Sequence, residues 1–135
     1  MRFGFQTLPS GGIGYREWAP GAHSLHLIGE FNGWDRGADP LQPAGDGEWF
    51  IEMAPGRLRE GDRVKVHVES DDPPRDRISP WIRQVVPGPE GDWHGVVRLP
   101  ERMGASAVPA LISPAPRIYE AHVGISTEDG SVGSW

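Results

Sequence analysis

Turn-forming residues recur so often in this chain that no long helix is predicted. The 19 glycines and 14 prolines are scattered along 135 residues instead of forming one repeat. Apolar residues recur between these breakers, but no segment keeps helical spacing for three turns. This pattern is typical of a β-rich domain with many turns. The length is sufficient for one domain with its own hydrophobic core.

Two segments alternate with the period of half-buried strands. In residues 48–54, Trp49 shares one face with an isoleucine and a methionine. In residues 63–69, three valines share one face while Lys65 and His67 point to the other. Further strands are predicted at 13–18, 24–31 and 93–99, within 1–12 as an edge strand or loose arm, and within 77–86. About seven short strands with turns between them predict an all-β, immunoglobulin-like β-sandwich.

A strand followed by a tight turn carries the candidate binding surface. Leu25 and Leu27 lie on one face at period two. The dipeptide Asn32-Gly33 then favours the positive φ values of a tight turn. Trp34 follows among small polar neighbours that bury an indole poorly, which indicates a partly exposed, flat surface. The alternative is a hairpin whose Trp34 folds back onto the core, and the spacing alone slightly favours this alternative.

Composition argues against several classes of function. The net charge of −6 is opposite to the basic surface that nucleic-acid binding needs. No run approaches the ~20 apolar residues of a membrane span, and no signal-peptide segment is visible, so cytoplasmic residence is the default expectation. The five histidines lack tight metal-ligand spacing. Because no glycine-rich phosphate loop precedes a helix either, no cofactor is expected.

The composition changes after the predicted sandwich, which is assigned to residues 1–99. Residues 100–116 are rich in proline and small residues, as in a linker. Residues 117–135 begin with an apolar strand. A single strand cannot bury itself, so the chain is expected to end within the opening segment of a second domain.

Four motifs, taken together, resemble 1,4-α-glucan branching enzymes. They are Glu17–Ala22, Leu27–Trp34, Arg77–Trp81 and Arg117–Gly124. The first two resemble carbohydrate-binding module family 48, an early-set immunoglobulin-like sandwich, and the third resembles the eukaryotic-type enzymes. The fourth is similar to the opening strand of the (β/α)8 catalytic barrel of glycoside hydrolase family 13. The resemblance implies a parent that cuts an α-1,4 link and rejoins the chain through an α-1,6 link. Its catalytic carboxylates would lie on later strands, so no catalytic residue is assigned here.

The resemblance also implies a glucan site at three residues. In glycogen-binding relatives a Trp at the position of Trp34 stacks on a glucose ring, and a Lys at the position of Lys65 bonds sugar hydroxyls. Asn32 offers donors and an acceptor for hydroxyls, although a role in the turn is favoured. The loop at residues 70–75 lacks the second stacking Trp of those relatives. We therefore expect weak binding of glycogen or starch chains, at roughly millimolar dissociation constants or below detection.

The other tryptophans are assigned to packing. Trp18, Trp49 and Trp93 sit in strand patterns and are predicted to be core residues. Trp81 is a candidate for packing between the module and its own catalytic barrel. Two rival hypotheses remain open: a stand-alone glycogen-targeting module, and a structural interaction domain that binds no glucan.

Overall fold

The computed structural model describes residues 3–100. Their elements, in chain order, are β1 Gly4–Thr7, β2 Ile13–Trp18, β3 Ala22–Gly29, the 3₁₀ helix Glu30–Asn32, β4 Gln42–Gly45, β5 Glu48–Met53, β6 Arg63–Ser70, β7 Arg75–Arg77, β8 Val85–Pro87 and β9 Trp93–Val96. Within this part of the chain, no helix is long and apolar enough to cross a membrane. The predicted linker beyond Pro100 and the predicted barrel segment at 117–135 lie outside the described residues.

The strands form two antiparallel sheets. The first sheet has the order β1-β2-β5-β4, and the second has the order β3-β6-β9-β8. Strand β7 pairs with β6 as well. Because β3 runs along one edge of β6, strands β7 and β9 share its other edge, with β9 beside Val64 and β7 beside residues 66–68. The predicted all-β immunoglobulin-like sandwich is confirmed.

The core lies between the two sheets and contains the predicted apolar faces. Leu25 pairs across to Val68, and Leu27 pairs across to Val66. All four side chains are buried. Antiparallel partners directly opposite each other share a face, so these residues form one continuous apolar surface. The first sheet covers it with Phe5, Tyr15, Trp49 and Met53.

The assignment of three tryptophans to the core is right for one and wrong for two. Trp49 is buried, with its indole Nε1 donating to the Ala19 carbonyl at 3.0 Å. Trp18 and Trp93 are instead 51% and 55% exposed. Trp18 alternates with the buried Glu17 and therefore points to the outward face of the first sheet, and Trp93 is exposed as the first residue of β9.

A strand also lies within residues 35–46, a segment for which no strand is predicted from the sequence. Strand β4 forms an edge of the first sheet by pairing with β5. Its four residues are all exposed and show no apolar alternation, which explains why the sequence pattern did not reveal it. After the turn at Asn32-Gly33 the chain returns antiparallel to β3 at the bridge between His26 and Pro40, and β4 then joins the other sheet.

A buried polar cluster joins the two sheets. The Tyr15 hydroxyl donates to Glu17 Oε2 at 2.5 Å, and Arg77 Nη2 lies 3.5 Å from Glu17 Oε1. Glu17 is fully buried on β2, whereas Arg77 comes from β7 of the second sheet. Burial, followed by the Glu17 carboxylate, raises the pKa of the Tyr15 phenol well above its ordinary value. The cluster therefore holds a charge pair where apolar packing would otherwise continue.

Candidate functional site

The turn after β3 holds Trp34 in a fixed direction. Gly33 and Trp34 have φ values of 64° and 63°, both in the left-handed region. The Trp34 backbone N–H donates to the Gly29 carbonyl at 2.9 Å. A left-handed conformation costs a residue other than glycine about 1 kcal/mol or more, so surrounding contacts must impose it. Sequence reasoning placed the positive φ values at Asn32-Gly33, one residue too early.

Asn32 uses its amide to build this turn. Its Oδ1 accepts from the Gly29 N–H at 3.0 Å. Its Nδ2 donates to the Leu27 carbonyl at 3.0 Å and to Asp39 Oδ2 at 2.8 Å. Both amide N–H donors are therefore occupied within the protein. The favoured structural role agrees with this geometry, and a sugar contact by Asn32 has only one oxygen lone pair available.

Trp34 and Lys65 line the same shallow depression. It has a volume of about 260 Å³ and lies beside the outward face of the second sheet. Lys65 on β6 lies opposite Ile28 on β3, and the Lys65 side chain is 16% exposed. The remaining lining residues are Arg36, Asp76, Pro89, Glu90, Asp92 and His94. Two residues that are distant in sequence thus meet at one surface.

The hairpin β8–β9 supports both predicted side chains. The Lys65 ammonium forms an ion pair with the Asp92 carboxylate, and His94 Nε2 lies 3.0 Å from Asp92 Oδ2. The hydrogen bond from Lys65 holds the pKa of the Asp92 carboxyl below its ordinary value. The Trp34 ring rests against the His94 ring, with centroids 4.6 Å apart and planes tilted by 48°. One side of the indole is therefore backed by protein.

The opposite rim is ordered by Asp76. Arg36 donates from Nε to Asp76 Oδ1 at 3.1 Å and from Nη2 to Asp76 Oδ2 at 2.6 Å. His67 Nδ1 lies 2.7 Å from Oδ1 of the same carboxyl. The hydrogen bond from Arg36, with a smaller effect from His67, lowers the pKa of Asp76. His67 shares the outward face of β6 with Lys65, as the alternation predicted, but it is buried beside Asp76.

Sequence reasoning missed the residues that surround Trp34 and Lys65. Asp92 and His94 reach the site because they alternate with Trp93 at the start of β9. That alternation was visible, but nothing in it indicates that β9 lies beside β6. Asp76 was missed because β7 has only three residues and no apolar pattern.

The site can offer an aromatic surface beside paired donors and acceptors. Its two cations are each paired with a carboxylate, as Lys65–Asp92 and Arg36–Asp76, and Glu90 adds a third carboxylate to the lining. An indole packs against C–H groups, and neighbouring charged groups bond hydroxyls strongly. This chemistry suits an uncharged ligand rich in hydroxyl groups.

The two antiparallel sheets place the chain among β-sandwich modules. A family model described as carbohydrate-binding module 48 (isoamylase N-terminal domain) matches residues 2–82. The chain belongs to carbohydrate-binding module family 48. The matched segment contains Trp34 and Lys65 and ends before the β8–β9 hairpin.

Curated relatives are 1,4-α-glucan-branching enzymes. The chain is 33% identical to the enzyme of Rhizophagus irregularis, over 99% of this chain and 21% of the relative. It is 34% identical to that of Dictyostelium discoideum, over 93% and 20%. It is 35% identical to branching enzyme 1 (chloroplastic/amyloplastic) of Pisum sativum, over 100% and 18%. The chain thus spans about a fifth of the length of these relatives.

Solved structures with the same fold include pullulanases. The GBS pullulanase SAP, in complex with maltotetraose, aligns with a TM-score of 0.59 over 77% of this chain and 15% of that chain, at 14% identity. The pullulanase of Bacillus acidopullulyticus aligns with a TM-score of 0.54 over 71% of this chain and 11% of that chain, at 17% identity. At these identities the comparison establishes the fold alone.

Proposed function

We propose that this module serves a 1,4-α-glucan branching enzyme of glycogen or starch biosynthesis by giving it a weak contact with α-glucan chains. The observation that carries the proposal is that Trp34 and Lys65 line one depression. The identity to branching enzymes along nearly the whole chain supports the choice of parent and of glucan. Asn32 contributes by fixing the turn below Trp34.

The contact is weak because it has a single aromatic surface. An indole offers ~150–250 Å². Covering half of that area at ~25 cal/mol per Å² contributes about 2–3 kcal/mol. In the structure His94 backs one side of Trp34, so only the other side can meet a glucose ring. The cost of association offsets much of the gain, so we expect binding no tighter than a dissociation constant of about 1 mM.

The second part of the proposal is that the module docks on the catalytic barrel of its parent. A stacked aromatic pair supports this role: Phe3 and Trp81 have ring centroids 4.5 Å apart and planes 15° apart. Trp81 remains 39% exposed. No catalytic residue is assigned to this chain. Cytoplasmic residence stays a prediction, since plant relatives are named chloroplastic/amyloplastic.

Affinity electrophoresis in gels loaded with glycogen tests the glucan contact. We expect glycogen to retard the wild-type chain and Trp34→Ala to reduce the retardation, because the substitution removes the aromatic surface. Val85→Ala is the control, since Val85 is also exposed on the second sheet but does not line the depression. Retardation that is equal in wild type and Trp34→Ala would contradict the proposal. No retardation of either protein would favour a structural interaction domain.

A further inference from the structure

An exposed indole, Trp18, also stands on the first sheet. Trp18 lies opposite Glu48 in the β2–β5 pairing, and Arg16 lies opposite Phe50. The neighbours of Trp18 and Glu48 along each strand, Glu17 and Trp49, point into the core. Side chains alternate between the faces of a strand, so Trp18, Glu48, Arg16 and Phe50 share the outward face of the first sheet.

The Trp18 ring is fixed although half of its surface is exposed. Its Nε1 donates to the Asp46 carbonyl at 3.2 Å. Asp46 has a φ of 51°, and among residues 3–100 only Asp46 and Trp34 combine a positive φ with a side chain. The turn that carries Asp46 is bonded to the loop that follows β2, since the Ala19 N–H donates to the Gly47 carbonyl at 2.8 Å. Little conformational freedom of the indole remains to be lost on binding.

Hydrogen-bonding groups flank this ring. Glu48, directly across from Trp18, forms an ion pair with Arg16. The Arg16 guanidinium carbon lies 5.4 Å from the centroid of the Phe50 ring, and the two charged side chains are 17% and 32% exposed. Beside a flat aromatic surface there is thus a fixed donor and acceptor pair with no net charge.

We propose that Trp18, with the Arg16–Glu48 pair beside it, is a second α-glucan contact of this module. The ligand class rests on the proposed function, but the site is separate, because Trp18 belongs to the first sheet and Lys65 to the second. A matched ion pair suits a neutral, hydroxyl-rich chain.

The position of the two contacts suits a branched polymer. They lie on the outward faces of opposite sheets, whose backbones are ~10 Å apart in a sandwich, so one short oligosaccharide cannot cover both. Glycogen presents many chain ends and can engage both faces. Two weak contacts on one particle raise its apparent affinity well above that of either contact.

Indole N–H signals in two-dimensional ¹H–¹⁵N spectra test the inference residue by residue. The chain has six tryptophans, and each signal is assigned by its loss in a single Trp→Ala or Trp→Phe variant. Titration with maltoheptaose is expected to shift the Trp18 and Trp34 signals with separate saturation curves. Buried Trp49 is the internal control and is expected to stay fixed. In glycogen gels Trp18→Ala is expected to lower the apparent affinity about tenfold, whereas Trp93→Ala, equally exposed, leaves it unchanged.

Each other outcome overturns the inference or separates it from the proposed function. A Trp18 signal that stays fixed while the Trp34 signal saturates refutes the second contact and leaves the first. A Trp18 signal that shifts while Trp34 stays fixed supports the second contact and refutes the proposed one. A Trp18 signal that responds only to dilution of the protein refutes the inference in favour of self-association. An equal loss of affinity in Trp93→Ala refutes it as well.

Discussion

Gly29 is the residue on which the direction of Trp34 depends most closely. Its carbonyl accepts from the Trp34 N–H, and its own N–H donates to Asn32. It also pairs with Val64 across the β3–β6 ladder, where a Cβ atom would lie 2.3 Å from the Arg63 carbonyl oxygen. Its φ of 172° is extended backbone that any residue adopts. Space, and not backbone conformation, therefore requires glycine here.

We predict that Gly29→Ala lowers the free energy of unfolding by about 2 kcal/mol, because β3 must move away from β6 to admit the methyl group. Urea denaturation followed by tryptophan fluorescence measures the change. Gly21→Ala is the matched control, since a Cβ atom there meets nothing within 4 Å. The control is expected to stay within about 0.5 kcal/mol of wild type. Equal stability of the two variants would contradict the steric account.

At the level of elements, β7 secures the buried cluster between the sheets. Its three residues carry Arg77 to the fully buried Glu17 and Asp76 to the candidate site. Arg75 precedes them in an exposed position, with only an exposed pair to Asp72 at 3.5 Å. Arg75 and Arg77 thus lie on the same face of β7 but differ in burial and in partner.

We predict that Arg77→Met lowers the free energy of unfolding by about 3 kcal/mol, because it leaves the Glu17 carboxylate buried without its cation. Because Arg77 is partly exposed, we expect a loss of stability at the lower end of the range seen when a buried ion pair is broken. Arg75→Met removes the same charge from the same strand and is expected to cost less than about 0.5 kcal/mol. Urea midpoints at neutral pH distinguish the two variants, and similar losses would show that Glu17 does not depend on Arg77.

Elements with an apolar alternation were predictable from sequence, and short polar strands were not. Strand β2 was predicted with its observed bounds, and Leu25 and Leu27 were correctly assigned to the core. Strands β4 and β7 form through backbone pairing, which leaves no apolar pattern in the sequence. The same holds for the site. Sequence motifs predicted Trp34 and Lys65 as site residues, whereas Asp92 could be assigned to the site only from the pairing of β9 with β6.

At the level of the whole molecule, acid is expected to weaken the fold through Asp76. Hydrogen bonds from Arg36, and to a smaller extent from His67, lower the folded-state pKa of this carboxyl below its ordinary value of 3.8. A lowered folded-state pKa contributes stability that is complete above the unfolded-state pKa. The contribution is lost as the pH falls through the folded-state pKa.

We predict that Asp76→Asn lowers the free energy of unfolding by about 1 kcal/mol at pH 7, and that the difference from wild type shrinks as the pH falls below the ordinary carboxyl value of 3.8. Urea denaturation of both proteins between pH 7 and 2.5 measures the difference. Asp71→Asn is the control, since the Asp71 side chain is 98% exposed. A difference that stays constant over this range would show that the Asp76 charge is not responsible.

The shared edge of β6 has a consequence for how such a module can diversify. Strands β9 and β7 meet that edge on either side of Lys65, with β9 beside Val64 and the last residue of β7 beside Val66. The candidate site occupies this junction, where two strands follow one another along a third. Its width is therefore set by where two strands end, and not by the layer of leucines and valines beneath it. Lengthening or shortening the connection between β8 and β9 can reshape the surface offered to a ligand while the interior keeps its packing.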